Sequence, residues 1–297
     1  MFAGRVIITY KNLVIRTTVG FLAFIGLGGI VEKTVSAEPY VQRTTAKMIK
    51  SNGQTNLYFK FQKPYRARLI LHKTTGNYIK KTVTLPKGTI VSGVPDRDGH
   101  KFTTIHNGAV DVSYQLKKRV VKGYQSATLN FAVKYSSGIL RQVKKPAYSL
   151  PYGHNILWTG KPVNLWPKRA VTSPSQIKIT SDGYVESYHY HSVTAGDTTI
   201  NYQVKPNSSV KINHVLKRGS SIYFYYRDHL KGVSDKRVRK AGPYQYRLTL
   251  TNKHTPYAFG DPDNDMFQYA SFYSVGNRSY WTVDGASDVY DPATGTD

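Results

Sequence analysis

The sequence predicts an all-β chain, built as small barrels or sandwiches in one module or two in tandem, behind an N-terminal signal peptide. Three observations predict it. Apolar and polar residues alternate in short runs with turn signals about every 8–12 residues, the spacing of strands in barrels and sandwiches. Tyrosine, a strand-favouring ring with a polar tip, dominates the aromatics, with 24 Tyr against 11 Phe and 3 Trp. No segment sustains the 3.6-residue apolar stripe of a long helix.

Residues 1–37 read as the signal. Arg5, Lys11 and Arg16 come first with no acid among them, then the thirteen uncharged residues Val19–Val31, then the small residues Val35-Ser36-Ala37 ahead of Glu38-Pro39. Basic start, short apolar core and small-residue cut site form the order of a secretory signal. The apolar core is shorter than the roughly 20 residues that span a bilayer. Cleavage is expected after Ala37, and an uncleaved anchor is the alternative. No second apolar run follows, so the chain after cleavage is not expected to be an integral membrane protein.

Residues 38–56 are polar and read as a flexible leader. A first β module spans 57–143. Its strands are expected at Leu57–Phe61, Arg66–Leu71 and Tyr78–Leu85, the last stopped by Pro86. A short strand at Thr89–Val91 precedes the turn Asp96–Gly99. Lys101–Ile105 and Val110–Tyr114 read as a hairpin about Asn107-Gly108. Residues 144–174 hold five prolines and read as a linker. A second β module is expected over 175–260, with strands near 176–180, 184–193, 198–204, 209–216, 220–227 and 244–251. Leu85-Pro-Lys-Gly-Thr89 and Leu216-Lys-Arg-Gly-Ser220 form a faint repeat between the modules. Residues 261–297 read as an acidic tail whose best helix candidate is Asp265–Phe272.

Charge is distributed unevenly. Of the formal net charge of +25, residues 38–260 carry +28 and residues 261–297 carry −6. Such a surface attracts polyanions over about 8–10 Å at physiological salt. Cysteine is absent, which excludes disulfides, thiolate metal sites and a Cys nucleophile. The basic clusters are Lys117-Lys118-Arg119, Lys144-Lys145, Lys168-Arg169, Lys217-Arg218 and Lys236-Arg237-Val238-Arg239-Lys240, with Arg227 next to a tyrosine run. Their guanidinium and ammonium groups suit phosphate. Rings at Tyr226, Tyr244 and Tyr246 could stack on sugars, whereas Tyr223 and Tyr225 read as strand-core residues.

No catalytic residues stand out, and no cofactor is expected. His189-Tyr190-His191 would put two imidazoles on one strand face, a zinc-compatible pair, but no upstream His and Asp complete a ligand set. Two surface histidines are the plainer reading. Asp261-Pro262-Asp263-Asn264-Asp265 has alternating carboxylates but lacks the glycine and distal glutamate of a calcium loop. Glutamate is nearly missing after the signal, with only Glu38 and Glu186, so a two-carboxylate glycosidase would need Asp in at least one role.

One stretch resembles a known family. Ile70–Tyr114 carries an apolar strand, a turn at Gly76, Thr84-Leu85-Pro86-Lys87-Gly88-Thr89, the pair Ile90-Val91, a turn at Asp98-Gly99, Lys101-Phe102 through Ile105, and Asn107-Gly108. This is similar to bacterial SH3-like modules, and more closely to the surface-layer-protein type of wall-binding module in Gram-positive surface proteins. The resemblance implies small SH3-like barrels and an anionic wall polymer as partner, such as teichoic acid or peptidoglycan. A secreted, wall-associated, non-catalytic surface protein is therefore expected. The alternatives are a wall-modifying hydrolase using His189 and His191, an extracellular adhesin, or a secreted nucleic-acid binder.

Overall fold

The computed structural model describes residues 40–72, 78–124, 126–159, 175–189, 191–195, 198–202, 205–261 and 266–288. The signal segment therefore lies outside the described residues, as do Lys168 and Arg169. The fold is all-β. Its first half contains β1 (Tyr40–Arg43), α1 (Ala46–Asn52), β2 (Leu57–Phe61), β3 (Tyr65–His72), β4 (Tyr78–Leu85) and β5 (Ile90–Asp98). It continues through β6 (Lys101–Asn107), α2 (Tyr114–Lys117), β7 (Ser126–Asn130), β8 (Ala132–Lys134), β9 (Leu140–Val143) and β10 (Ile156–Thr159). Then come β11 (Ser175–Ile179), β12 (Tyr184–His189), β13 (His191–Ala195), β14 (Thr198–Tyr202), β15 (Ser208–Lys211) and β16 (His214–Arg218). The last strands are β17 (Ser221–Tyr226), β18 (Lys236–Arg237), β19 (Tyr246–Asn252), β20 (Tyr257–Asp261), β21 (Met266–Val275) and β22 (Arg278–Asp288).

Two cores organise these strands. A five-stranded sheet, β8-β6-β5-β2-β9, and a three-stranded sheet, β4-β3-β7, share the first. Alternation decides which side chains enter it. In β3, Ala67, Leu69 and Leu71 are buried while Arg66 and Arg68 are exposed. They meet Phe59, Phe61, Val91, Ile105, Phe131 and Leu140 from the facing sheet and its loops. Each fully buried Leu or Phe contributes about 1.5–3 kcal/mol.

The second core lies inside a larger sheet with the path β15-β12-β11-β10-β22-β21-β19-β17-β16, to which β18, β20 and β1 attach at the side. The sheet curls, so that Ile177, Ile179 and Val185 from one end pack in one cluster with Phe224, Leu248 and Leu250 from the other. Between the cores sits a polar clasp. Ser113 donates its N–H and hydroxyl to Asp182 at 2.8 and 2.6 Å. Glu186, 1% exposed, accepts from Tyr114 N–H (2.7 Å), Tyr188 OH (2.7 Å) and Ser209 Oγ (3.0 Å). Burial nevertheless pushes its pKa up.

Several segments differ from the sequence expectation. The expected leader is structured. All four residues of β1 pair with β20, and Thr45 caps α1 by accepting from Met48 N–H at 3.2 Å. Ile49 then packs with Tyr152, Ala258 and Tyr269. The expected linker contributes β10, which joins β11 and β22. The expected acidic tail supplies β21 and β22, with Tyr273, Tyr280 and Trp281 at 0–2% exposure. The helix candidate at 265–272 is part of β21 from Met266 onward, where alternating aromatics outweigh helix propensity. The expected strand at Val110–Tyr114 is a loop leading into α2. There the buried Ser92 hydroxyl both donates to Val110 C=O and accepts its N–H, each at 2.9 Å, replacing ladder bonds. No described helix is long and apolar enough to cross a membrane.

Candidate functional site

The outer face of β16, β17 and β19 brings rings and bases together. Its formation follows from parity. Phe224 and Tyr226 are buried, with Ile222 packed against them, so Ser221, Tyr223 and Tyr225 turn outward. Leu248 and Leu250 are buried on β19, so Arg247 and Thr249 turn outward. Gly219 closes the β16–β17 hairpin with φ +53°, the sign a two-residue hairpin loop requires at its first position.

Register aligns four side chains across four strands. His214 lies opposite Tyr225, Tyr225 opposite Arg247, and Arg247 opposite Lys236. Directly opposed residues share a face. The row His214-Tyr225-Arg247-Lys236 therefore runs perpendicular to the strands and spans three strand spacings, about 14 Å. A second row, Leu216-Tyr223-Thr249, lies beside it, and Arg218 lies opposite Ser221 in a third.

Ring packing holds the rows in place. Tyr244 lies 5.7 Å from the His214 ring and 6.4 Å from the Tyr225 ring, and His214 is 5.7 Å from Tyr225. The Arg247 guanidinium stands 5.3 Å over Tyr223, and that of Arg239 stands 5.9 Å over Tyr244. Such cation–π contacts pre-orient the guanidinium without using its hydrogen-bond donors. Arg247 Nε is buried and has no hydrogen-bond partner among the described residues.

The cations of this face are in a costly arrangement. Lys236 and Arg247 are like charges in direct cross-strand register, which costs up to about 1 kcal/mol. The ion pairs among the described residues join Lys117 to Asp111, His106 to Asp96 and His229 to Asp235, so none neutralises this face. An anion laid across the row would remove the repulsion.

The sequence candidates fall in different places. Lys236, Arg239, Arg218 and Tyr244 belong to the face. Arg237 points to the other side of β18 and donates to the carbonyls of Arg239 and Lys240, while Lys240 is exposed in the following turn. Lys217 is exposed on the opposite side of β16 from Arg218, and Arg227 is exposed in the loop after β17. Lys118 and Arg119 are exposed far along the chain, Lys118 donating to Gln115 at 3.1 Å.

Two candidates are corrected. Lys117 is 6% exposed and ion-paired with Asp111 inside the clasp, so it is a structural cation. Tyr226 is fully buried and its hydroxyl donates to Asp235 at 2.9 Å, so it has no face for a sugar. Tyr246 is half-buried on the core side and packs on His229 at 5.5 Å. Conversely Tyr223 and Tyr225, read from sequence as core, form the outer platform. His214 and the position of Arg247 in the row carry no local signal; only strand register brings them together.

The zinc-compatible alternative for His189 and His191 is not built. His189 ends β12 and His191 begins the separate β13–β14 hairpin, so the two do not share a strand. His189 Nδ1 lies 3.3 Å from Ser175 Oγ. No group of three metal-ligating side chains occurs among the described residues. Asp261 closes β20, and 262–265 lie outside the described residues. The carboxylate oxygens of Glu186 are occupied by the three donors of the clasp. Comparison with known proteins found no matching family model, curated protein or solved structure.

Proposed function

We propose that this chain is a secreted, non-catalytic surface protein that attaches to the bacterial envelope through an anionic wall polymer, teichoic acid or a peptidoglycan-linked polyanion. The signal-like N-terminus supplies the address, and the +28 charge over residues 38–260 supplies long-range attraction. The observation that carries the reading is the row His214-Tyr225-Arg247-Lys236, in which bases without carboxylate partners among the described residues are set among tilted and edge-on rings. Arginine is suited to this role because its planar fork matches two phosphate oxygens at once. The resemblance of 70–114 to SH3-like wall-binding modules points the same way, and the first core, shared by a five-stranded and a three-stranded sheet, fits a small barrel-like unit.

The test is attachment to purified walls. The mature protein should bind, release as salt is raised, and lose affinity when teichoic acid is stripped. An Arg247→Ala, Lys236→Ala double variant should bind at least about tenfold more weakly, since a charge-assisted phosphate contact is worth about 1.5–3 kcal/mol. Equal binding to stripped walls at high salt would remove the reading. DNA that competes better than teichoic acid would favour a secreted nucleic-acid binder instead.

A further inference from the structure

We propose that His214 is a proton-dependent third contact for a linear phosphodiester polymer that lies across the strands, so that attachment tightens on mild acidification. The inference rests on the anion-binding reading of the same face.

The row supplies the geometry. Its cationic positions are His214 at one end and Arg247 and Lys236 at the other, with Tyr225 between them. Strand spacing places His214 about 10 Å from Arg247 and about 14 Å from Lys236. Three sites on a straight line suit a chain carrying repeated negative charges better than one compact anion. Of the side-chain types in the row, histidine is the one whose ordinary charge change falls between about pH 8 and pH 5.

His214 is held ready for this step. Its ring is tilted against Tyr225 from β17 and Tyr244 from the loop before β19, both ring centroids at 5.7 Å. Aromatic faces of this kind accommodate a cation. Asn213 anchors the backbone just ahead of the ring: its N–H donates to Tyr225 C=O at 2.9 Å and its side-chain amide to Pro243 C=O at 2.8 Å. The charged groups facing the ring are Arg247 along the row and Arg239 stacked on Tyr244. On its own strand, Leu216 and Arg218 share its face. No described ion pair supplies a carboxylate to His214.

The sign follows from linkage. In the free protein, protonating His214 adds like charge to a face that is already cationic. With a polyanion bound, the same proton gains an attractive partner. Ligand therefore favours the protonated ring, and by reciprocity the protonated ring favours ligand. Affinity rises as pH falls, by at least about fivefold for a coupling of ordinary size. One more phosphate contact also steepens the salt dependence. The slope of log K against log salt changes by about 0.7, the value per contact for a flexible single-stranded polyphosphodiester.

The experiment is calorimetric titration of the mature protein with poly(glycerol phosphate) at pH 7.5 and 5.5 over a range of salt. Wild type should bind more tightly and with a steeper slope at the lower pH. His214→Gln should bind equally at pH 7.5 and pH 5.5, having lost the pH effect. His214→Lys, charged throughout, should show the tighter binding at both pH values. A His214→Gln variant that keeps the full pH effect, or a wild type whose affinity does not change with pH, overturns the proposal while leaving polyanion binding intact. No salt-sensitive binding by any variant at either pH overturns the underlying reading as well. Parallel titration with oligothymidylate should give weaker binding; stronger binding would overturn the wall polymer as the occupant.

Discussion

Replacing Asp284 by asparagine should stabilise the protein at neutral and alkaline pH and leave it unchanged in acid. Asp284 is the extra residue of a β-bulge: its neighbours Val283 and Gly285 pair with the consecutive residues Ala270 and Tyr269, leaving Asp284 opposite nothing. It is 2% exposed, Ser271 Oγ donates to its carboxylate, and burial pushes its pKa up to about 7 from 3.8. Between these two values the folded chain binds more protons at this site than the unfolded chain does. Stability from this group is therefore full below about pH 4, declines as pH rises toward 7, and stays low above that. A rise of this size corresponds to at most about 4 kcal/mol. The asparagine amide would keep an acceptor for Ser271 and carry no charge, so Asp284→Asn should recover up to that amount at pH 8. At about 2–4 °C per kcal/mol for a chain of this size, the melting temperature should rise, by no more than roughly 8–16 °C. Scanning calorimetry of both proteins at pH 4, 6 and 8 reads the effect as a difference that grows with pH. A difference that is constant across the three, or a variant less stable than wild type at pH 8, would refute the reasoning.

Substitutions at four further positions have expected outcomes. Glu186→Ala should cost about 3 kcal/mol or more in urea unfolding, because it strands the Tyr114 N–H, Tyr188 OH and Ser209 Oγ donors between the two cores; Glu186→Gln, which retains an acceptor, should cost less. Gly153→Ala should unfold the protein or nearly so, since the backbone sits at φ +71° and a Cβ there would lie 1.9 Å from Val283 O. Gly99→Ala, at φ +57° with open space around it, should cost only about 1 kcal/mol by the same melt. Tyr223→Ala should weaken polymer binding by about three- to tenfold without lowering the melting temperature by more than a few degrees, because it removes the ring beneath Arg247 and leaves the core untouched.

The all-β character was legible because alternation is a local property. The runs at 57–61, 78–85 and 220–227 are where the pattern places them. The leader, linker and tail were misread because their polar or acidic averages hide who their partners are. β1 gains its order from β20 at the opposite end of the sequence, and no local pattern announces that pairing. Within Tyr223-Phe224-Tyr225-Tyr226 the composition was legible but the parity was not. A shift of one residue exchanges the two faces, and Tyr226 faces inward only because Phe224 does. The candidate face was legible as clusters of bases near rings. Its row required three registers at once, which is why His214 carried no signal.

The position of β1 and β10 in the large sheet has a consequence for how the chain is completed during synthesis. Every strand of the first core lies between Leu57 and Val143, so that half can close as soon as it emerges. β1 and β10 are made well before β20 and β22, with which they pair. Until Tyr257–Asp261 arrives β1 lacks its partner, and until Arg278–Asp288 arrives β10 is paired on one edge alone. Such long-range closure folds slowly, so a ribosome-stalled or C-terminally clipped chain would retain a finished first half and an unfinished second.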